Sequence, residues 1–416
     1  MCSVDGHVRQ AGRPATLLSQ KCATLHPVRP VLPRKRAAMI AASLALAAAF
    51  VLRAAEPGRA QGPSRALPLQ ALAPADNPTT PDKVELGRLL FWDPILSGTK
   101  DVACATCHHP DFGYAEPLDV SVGVTGSGLG PGRRFPTGHT IPFVKRNSQS
   151  ILNTAFNGMD TSGHYDPAKA PMFWDLRATG LEAQALEPIK SFEEMRGGLY
   201  DEGDALGQVV ARLDRVAEYR ALFQRAFGPG RSVTAVNLAK ALAAFQRTLL
   251  AGNSPFDRYT RGDLTAMTVA QVSGMERFDR AGCANCHSGP MFSDYKTHVL
   301  GVPDNAKLSA SDAGAGGAYA FRTPSLRNLR FSAPYMHNGA FPALQDVLRF
   351  YVGAGRRSRN PNVRGDQLDP LLQRLRTGRG SFEVVEFLGA LNDEGFDKRT
   401  PARVPSGLHP GGNIKD

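Results

Sequence analysis

Cysteine is scarce in this chain, and long apolar runs and alternating strand patterns are missing. Only six cysteines occur in 416 residues, and four of them form two C-x-x-C pairs. Once both pairs are used, no thiol remains for a disulfide framework. Cys2 and Cys22 precede the longest apolar stretch and are not expected in a mature exported protein. That stretch, Ala37 to Leu52, has sixteen residues, against the roughly 20 that a membrane span needs. Without period-2 alternation, the β classes have no support. The formal charge of +11 suggests a nucleic-acid binder until it is located: residues 1–65 carry ten Lys or Arg and two acids, a net +8, which leaves +3 for the other 351 residues. Nucleic-acid binding therefore gets little support.

What is present begins with the leader. Arg34-Lys35-Arg36 directly precedes the apolar stretch, the layout of a secretory signal. Residues 1–60 are read as a basic leader plus signal peptide or uncleaved anchor, with a poor cleavage site near Ala60, and the expected compartment is the periplasm. Residues 61–81, rich in Pro, Ala and Gly, read as a linker. No strand or helix frames the Gly-rich stretch Gly126-Ser-Gly128-Leu-Gly130, so a phosphate loop is not supported.

Two short motifs carry the chemistry. Cys104-Ala-Thr-Cys107-His108 and Cys283-Ala-Asn-Cys286-His287 are both C-x-x-C-H, the signature of covalent c-type haem attachment. Two thiols add across the two vinyl groups of one porphyrin, and the following His lies beneath the iron as its proximal ligand. Zinc sites pair their C-x-x-C elements some 15 to 20 residues apart, whereas Cys107 and Cys283 are 176 apart. A thioredoxin-type redox pair needs a βαβ setting that the pattern lacks. Two covalent haems are the expected cofactors.

The flanks of the motifs repeat. Gly87-x3-Phe91 precedes the first, and Gly274-x3-Phe278, on an expected helix Thr268 to Ala281, precedes the second. Further helices are expected over Gly203–Leu213, Val216–Phe227, Val233–Ala251, Leu344–Tyr351, Leu368–Arg376 and Phe382–Leu391. The apolar stripe Leu238, Leu242, Phe245, Leu249 reads as core. The fold class is all-α, with two cytochrome c-type haem domains and Gly-rich loops at Ser121–Gly138 and Ser311–Gly317. The expected domains are 82–260 and 261–400, with 401–416 as a disordered tail.

From about Val84 to Leu391 the chain resembles the bacterial di-haem cytochrome c peroxidase and MauG family. The pieces that carry the resemblance are ELGRLLFWDPILSG, CATCH, KRNSQSILNTAFN, MFWDLRATGLEAQALEPI, SPFDRY, CANCHSGPMFSD, FRTPSLRN and APYMHNG, in the family's order. The resemblance implies an N-terminal peroxidatic haem at His108 and a C-terminal electron-transfer haem at His287. It also implies a tryptophan that carries electrons between them, matched by Trp174. The family's distal-pocket acid falls on Glu194, its companion glutamine on Gln184 and a pocket proline on Pro188, spaced 20, 10 and 14 residues from Trp174. An acid there has a task, because heterolysis of peroxide moves a proton from one oxygen to the other. A calcium site is implied at the Asn147 side chain and the carbonyls of Ser332 and Pro334; oxygen ligands suit Ca²⁺.

The chain departs from the peroxidase pattern at two positions. Typical members place a distal His sixteen residues after the first haem His; this chain has Val124. They also place a Met fourteen residues after the His of the PYxHxG motif; this chain has Tyr351. MauG resembles the chain in both respects, which makes Tyr351 a candidate iron ligand of the second haem. Met336, Met291 and Met275 are the alternatives. His139, in the long loop Thr125 to Val144, is the residue that threatens an open first haem. The expected function is peroxide reduction with electrons passed from the C-terminal to the N-terminal haem. A MauG-like oxidase acting on a partner protein or organic substrate is the second reading, and a pure electron carrier is the third. The expected partners are hydrogen peroxide and a small donor protein, a cytochrome c or cupredoxin.

Overall fold

The described residues form eleven α-helices: α1 (Pro81–Trp92), α2 (Cys104–Cys107), α3 (Leu181–Gln184), α4 (Glu187–Lys190), α5 (Ala205–Arg215), α6 (Ala217–Phe227), α7 (Ala235–Gln246), α8 (Pro255–Thr260), α9 (Val269–Arg280), α10 (Leu344–Tyr351) and α11 (Glu383–Gly389). The computed structural model describes residues 66–378 and 383–415. The basic leader and the apolar run of the expected signal lie outside them. Among the described residues no helix is long and apolar enough to cross a membrane.

Local chemistry explains the helix starts. Thr80 caps α1 by accepting from the Lys83 amide, and Pro81 opens the helix, where its missing N–H costs nothing. Thr234 caps α7. Thr268 and Gln271 form a reciprocal capping box on α9, as Ser254 and Asp257 do on α8. The expected helix Val233–Ala251 ends early, at Gln246, and Leu368–Arg376 shortens to a tight turn over Pro370–Arg374.

The repeat seen in sequence is a repeat of packing. A β-carbon on Gly87 would stand 2.0 Å from the Ala241 carbonyl oxygen, so α1 crosses α7 at backbone distance. Gly274 does the same for α9 against α11, with 2.4 Å to the Glu383 carbonyl oxygen. Beside each glycine an aromatic pair closes the contact: Phe91 with Phe245 at 5.2 Å, and Phe278 with Phe387 at 5.4 Å. Each crossing centres its own apolar core. One runs from Leu86 through Phe245 and Leu249; the other holds Phe256, Phe278, Phe292 and Phe387.

Two expectations are corrected. Strands do occur, as two short antiparallel pairs: β1 (Pro171–Met172) with β2 (Ala178–Thr179), and β3 (Thr297–Val299) with β4 (Ala320–Arg322). At two or three residues each they are too short to show alternation. The tail over 401–416 is packed as far as it is described. Val404 is buried, Thr106 donates to the Gly411 carbonyl at 2.7 Å, and the Asn413 amide donates to the Asp101 carbonyl at 2.8 Å. Within the expected linker, Leu67 and Asn77 are likewise buried.

A buried ion pair joins two of the quoted motifs. Arg327 of FRTPSLRN reaches Asp257 of SPFDRY with both nitrogens, at 2.8 and 3.0 Å, and both side chains are buried. Removing one partner of such a pair typically costs 3–5 kcal/mol, because the other is left charged and buried.

Candidate haem site

One cavity of about 640 Å³ is lined by both C-x-x-C-H motifs, by Trp174, and by Gln184, Pro188 and Glu194. The two motifs are built alike. The His108 Nδ1 lies 3.0 Å from the Tyr114 carbonyl, and the His287 Nδ1 lies 3.0 Å from the Phe292 carbonyl. Each bond places the ring proton on Nδ1 and leaves the Nε2 lone pair free to ligate a metal. Burial holds both imidazoles below the usual histidine range, so they are neutral donors.

Four free thiols accompany them. Burial pushes Cys104 up to about 12 and Cys283 up to about 11. Reactive C-x-x-C redox pairs depress a thiol pKa instead, so these two thiols are shifted in the opposite direction. Paired thiols, each pair followed by a histidine with an available Nε2, match the donor set that a haem requires at each motif.

Glu194 sits in a single π-type turn, Phe192–Arg196, capped by Ser191. Such turns are frequent at functional sites. Burial raises its carboxyl to about 6, against the lowering effect of the Arg177 guanidinium. Gln184 ends α3, and Pro188 is the second residue of α4. Val124 is fully buried in the core with Leu96 and Met195, and its amide donates to the Glu194 carbonyl. His139 is exposed, stacked on Phe135 at 4.1 Å with its Nδ1 2.8 Å from the Ile141 carbonyl. It does not line the cavity.

Trp174 is nearly buried, and its indole N–H donates to the Asn147 carbonyl at 3.1 Å. The β1–β2 turn holds it, with Phe173 and Leu176 both at positive φ. Arg322 on β4 fixes that turn from the other half of the chain. Its amide donates to the Trp174 carbonyl at 2.7 Å and its Nε to the Phe173 carbonyl at 2.9 Å. His337 meets Trp174 edge-on at 6.5 Å and stacks on Phe321 at 3.6 Å. Burial drives His337 down to about 4.

Tyr351 ends α10 and lines the cavity. Burial raises its phenol, and so do the neighbouring thiols of Cys286 and Cys283. Met336 and Met291 also line the cavity, whereas Met275 packs in the second core and does not. Asn147, Ser332 and Pro334 all line the cavity too.

Two groups had no signal in the sequence. Glu116 is buried. Burial raises it to about 7, against the lowering effects of Ser121 and Arg133. His298 is clamped between Asp294 at 3.0 Å and Asp369 at 2.6 Å, beside Cys286. The hydrogen bond to Asp294 leads in raising it to about 11.

A helical chain with two histidine–dithiol sets on one cavity defines the class of di-haem oxidoreductases. The sequence profile of the di-haem cytochrome c peroxidase family matches residues 81–265. The chain is 37% identical over 326 residues to the methylamine utilization protein MauG of Methylorubrum extorquens, covering 77% of this chain and 81% of that protein. It is 32% identical over 294 residues to the cytochrome c551 peroxidase of Pseudomonas aeruginosa, covering 68% and 75%. Among solved structures, a MauG-like protein associated with microbial copper homeostasis matches with a TM-score of 0.63 at 25% identity, over 80% of this chain and 96% of that one. The diheme peroxidase BthA from Burkholderia thailandensis shares the fold, with a TM-score of 0.57 at 21% identity over 80% of this chain and 90% of that one. The chain belongs to the di-haem cytochrome c peroxidase family. It is a haem oxidoreductase, and two haems are its cofactors.

Proposed function

We propose that this protein reduces hydrogen peroxide in the periplasm. In this reading one haem is attached to Cys104 and Cys107 with His108 as iron ligand. The other is attached to Cys283 and Cys286 with His287 as iron ligand. Residues 82–260 and 261–400 form the two haem-bearing halves. The carrying observation is that both motifs, Trp174 and Glu194 share one cavity. Bound haem iron supplies the redox chemistry.

The chain's own residues supply the rest. Glu194 moves a proton between the two peroxide oxygens; burial keeps its carboxyl near neutrality, where it both accepts and returns one. Gln184 and Pro188 shape the wall beside it. Trp174 stands between the two halves, held by Asn147 from one and Arg322 from the other, and serves as the electron relay. Calcium binding at Asn147, Ser332 and Pro334 belongs to the same proposal. The Asn147 amide nitrogen donates to the Leu118 carbonyl, which leaves its side-chain oxygen as a ligand atom.

A second reading is a MauG-like oxidase of a partner protein or organic substrate. It is favoured by Tyr351 beside the second motif and by Val124, which offers no ligand at the first. The deciding experiment is peroxide turnover by the purified holoprotein with a reduced small cytochrome or cupredoxin, alongside a haem count after acid-acetone extraction. Donor-dependent peroxide loss with two retained haems supports the proposal. Extractable haem would overturn the attachment. Peroxide consumption without donor oxidation would favour the oxidase.

A further inference from the structure

The surface behind the second C-x-x-C-H motif is basic, whereas the rest of residues 66–416 carries a small net negative charge. Residues 349–376 carry seven arginines and two aspartates, a net +5. Residues 66–416 together carry only +3, so everything outside that stretch sums to −2. Three of the seven arginines are engaged: Arg349 pairs with Asp346, Arg364 with Asp366, and Arg359 lies over the Phe350 ring. Of the two aspartates, Asp366 is taken by Arg364 and Asp369 by His298. Arg356, Arg357, Arg374 and Arg376 remain. All four are exposed, and none makes an ion pair among the described residues.

Backbone packing brings the four together. A β-carbon on Gly355 would stand 2.8 Å from the Gln373 nitrogen, so the loop with Arg356 and Arg357 lies directly on the turn that ends at Arg374. The Arg359 amide ties the same loop to the Gly301 carbonyl at 2.9 Å. The Arg376 amide donates to the Ala281 carbonyl at 2.9 Å, two residues before Cys283. From the inner side of these segments Leu372, Leu375 and Thr377 line the cavity beside Tyr351. The segments that carry these four exposed arginines therefore also form part of the wall of the cavity that the second haem-binding motif lines.

Like charges at this density repel one another, and none of the four is paired with an acid among the described residues. Guanidinium forks match carboxylates in geometry and are weakly hydrated, which suits them to a protein interface. We infer that this surface docks an acidic, single-centre redox protein, which delivers electrons to the haem at His287. The inference rests on the peroxide-reducing reading and specifies its partner. Each reduced partner gives up one electron. Two dockings supply the two electrons that, with two protons, convert one hydrogen peroxide to two waters.

The test uses full-length holoprotein and three reductants: a reduced acidic cupredoxin, a reduced strongly basic monohaem cytochrome c, and hydroquinone. For the acidic donor, kcat/KM should fall about tenfold or more between low and roughly 0.2 M salt. It should fall comparably in Arg357→Glu/Arg374→Glu, while turnover with hydroquinone stays unchanged. Preference for the basic donor, or an acidic-donor rate indifferent to both salt and charge reversal, would overturn the inference. Calorimetric binding of the oxidised cupredoxin reads docking without turnover. A low-salt complex lost in the double variant supports it, and no complex at low salt defeats it. Failure of all three reductants with docking intact would strike the peroxide-reducing reading instead.

Discussion

The Val124 amide donates to the Glu194 carbonyl at 3.1 Å, so the loop after the first haem motif is bonded to the turn that carries the pocket acid. The contact needs the residue before it to be glycine. A β-carbon on Gly123 would stand 1.9 Å from the Glu193 carbonyl oxygen. Gly123→Ala should therefore push the Phe192–Arg196 turn away from the cavity while leaving both haems attached. Misplacing a catalytic group by about 1 Å can cost on the order of 10²-fold in rate. Stopped-flow reaction of the ferric protein with peroxide measures it, and an unchanged rate would show that the turn tolerates displacement.

Glu194 should set the acid limb of the peroxide reaction. Its carboxyl is raised to about 6 by burial, so a proton-accepting role is available above that pH and lost below it. The wild-type kcat/KM for peroxide should rise through about pH 6. Glu194→Gln should remove that limb and lower the plateau by about 10²- to 10⁴-fold. A titration that survives the substitution would assign it to another group.

Glu116 links pH to stability. Its carboxyl is raised from 4.5 to about 7 by burial, so the folded protein binds its proton more tightly than the unfolded chain does. Its contribution is fully present below about pH 4.5 and is lost as pH rises through about 7. By the shift alone, the loss is on the order of 3 kcal/mol. Glu116→Gln should flatten the fall in thermal stability between those pH values. Parallel melting curves for variant and wild type from pH 5 to 8 would refute it.

Trp174→Phe should keep the β1–β2 turn, because Arg322 holds that turn through backbone carbonyls and not through the indole. Both haem spectra should stay intact. Turnover with a protein donor should slow, and the Asn147 carbonyl loses its indole donor. Unchanged donor-dependent turnover would reduce Trp174 to a packing residue.

Tyr351→Phe tests the second haem. Tyrosine ligation predicts that the ferric EPR spectrum changes at one haem only, and that the wild type shows no methionine–iron charge-transfer band. A spectrum indifferent to the substitution would return the ligand to Met336 or Met291, which line the same cavity. His139→Ala should leave the spectrum alone, since that side chain is stacked on Phe135 at the surface.

Short-range chemistry was legible in the sequence by itself. The two C-x-x-C-H motifs and the paired Gly-x3-Phe elements depend on residues within one turn or one motif, where spacing alone decides which side chains meet. The repeat of Gly87 and Gly274 was visible too, but not that each packs against the backbone of another helix. What spacing could not decide was anything set by contacts between distant segments. The tail over 401–416 reads as disordered, yet Thr106 and Asp101 supply hydrogen bonds that hold its described part. His139 and Glu116 look alike in sequence, as lone polar residues in loops. Tertiary packing left the first in solvent and enclosed the second, because burial of a polar group is settled by what closes over it from elsewhere in the chain. The arginines after Tyr351 were part of a total charge until folding stacked Gly355 on Leu372 and Gln373 and set them over the second haem-binding motif.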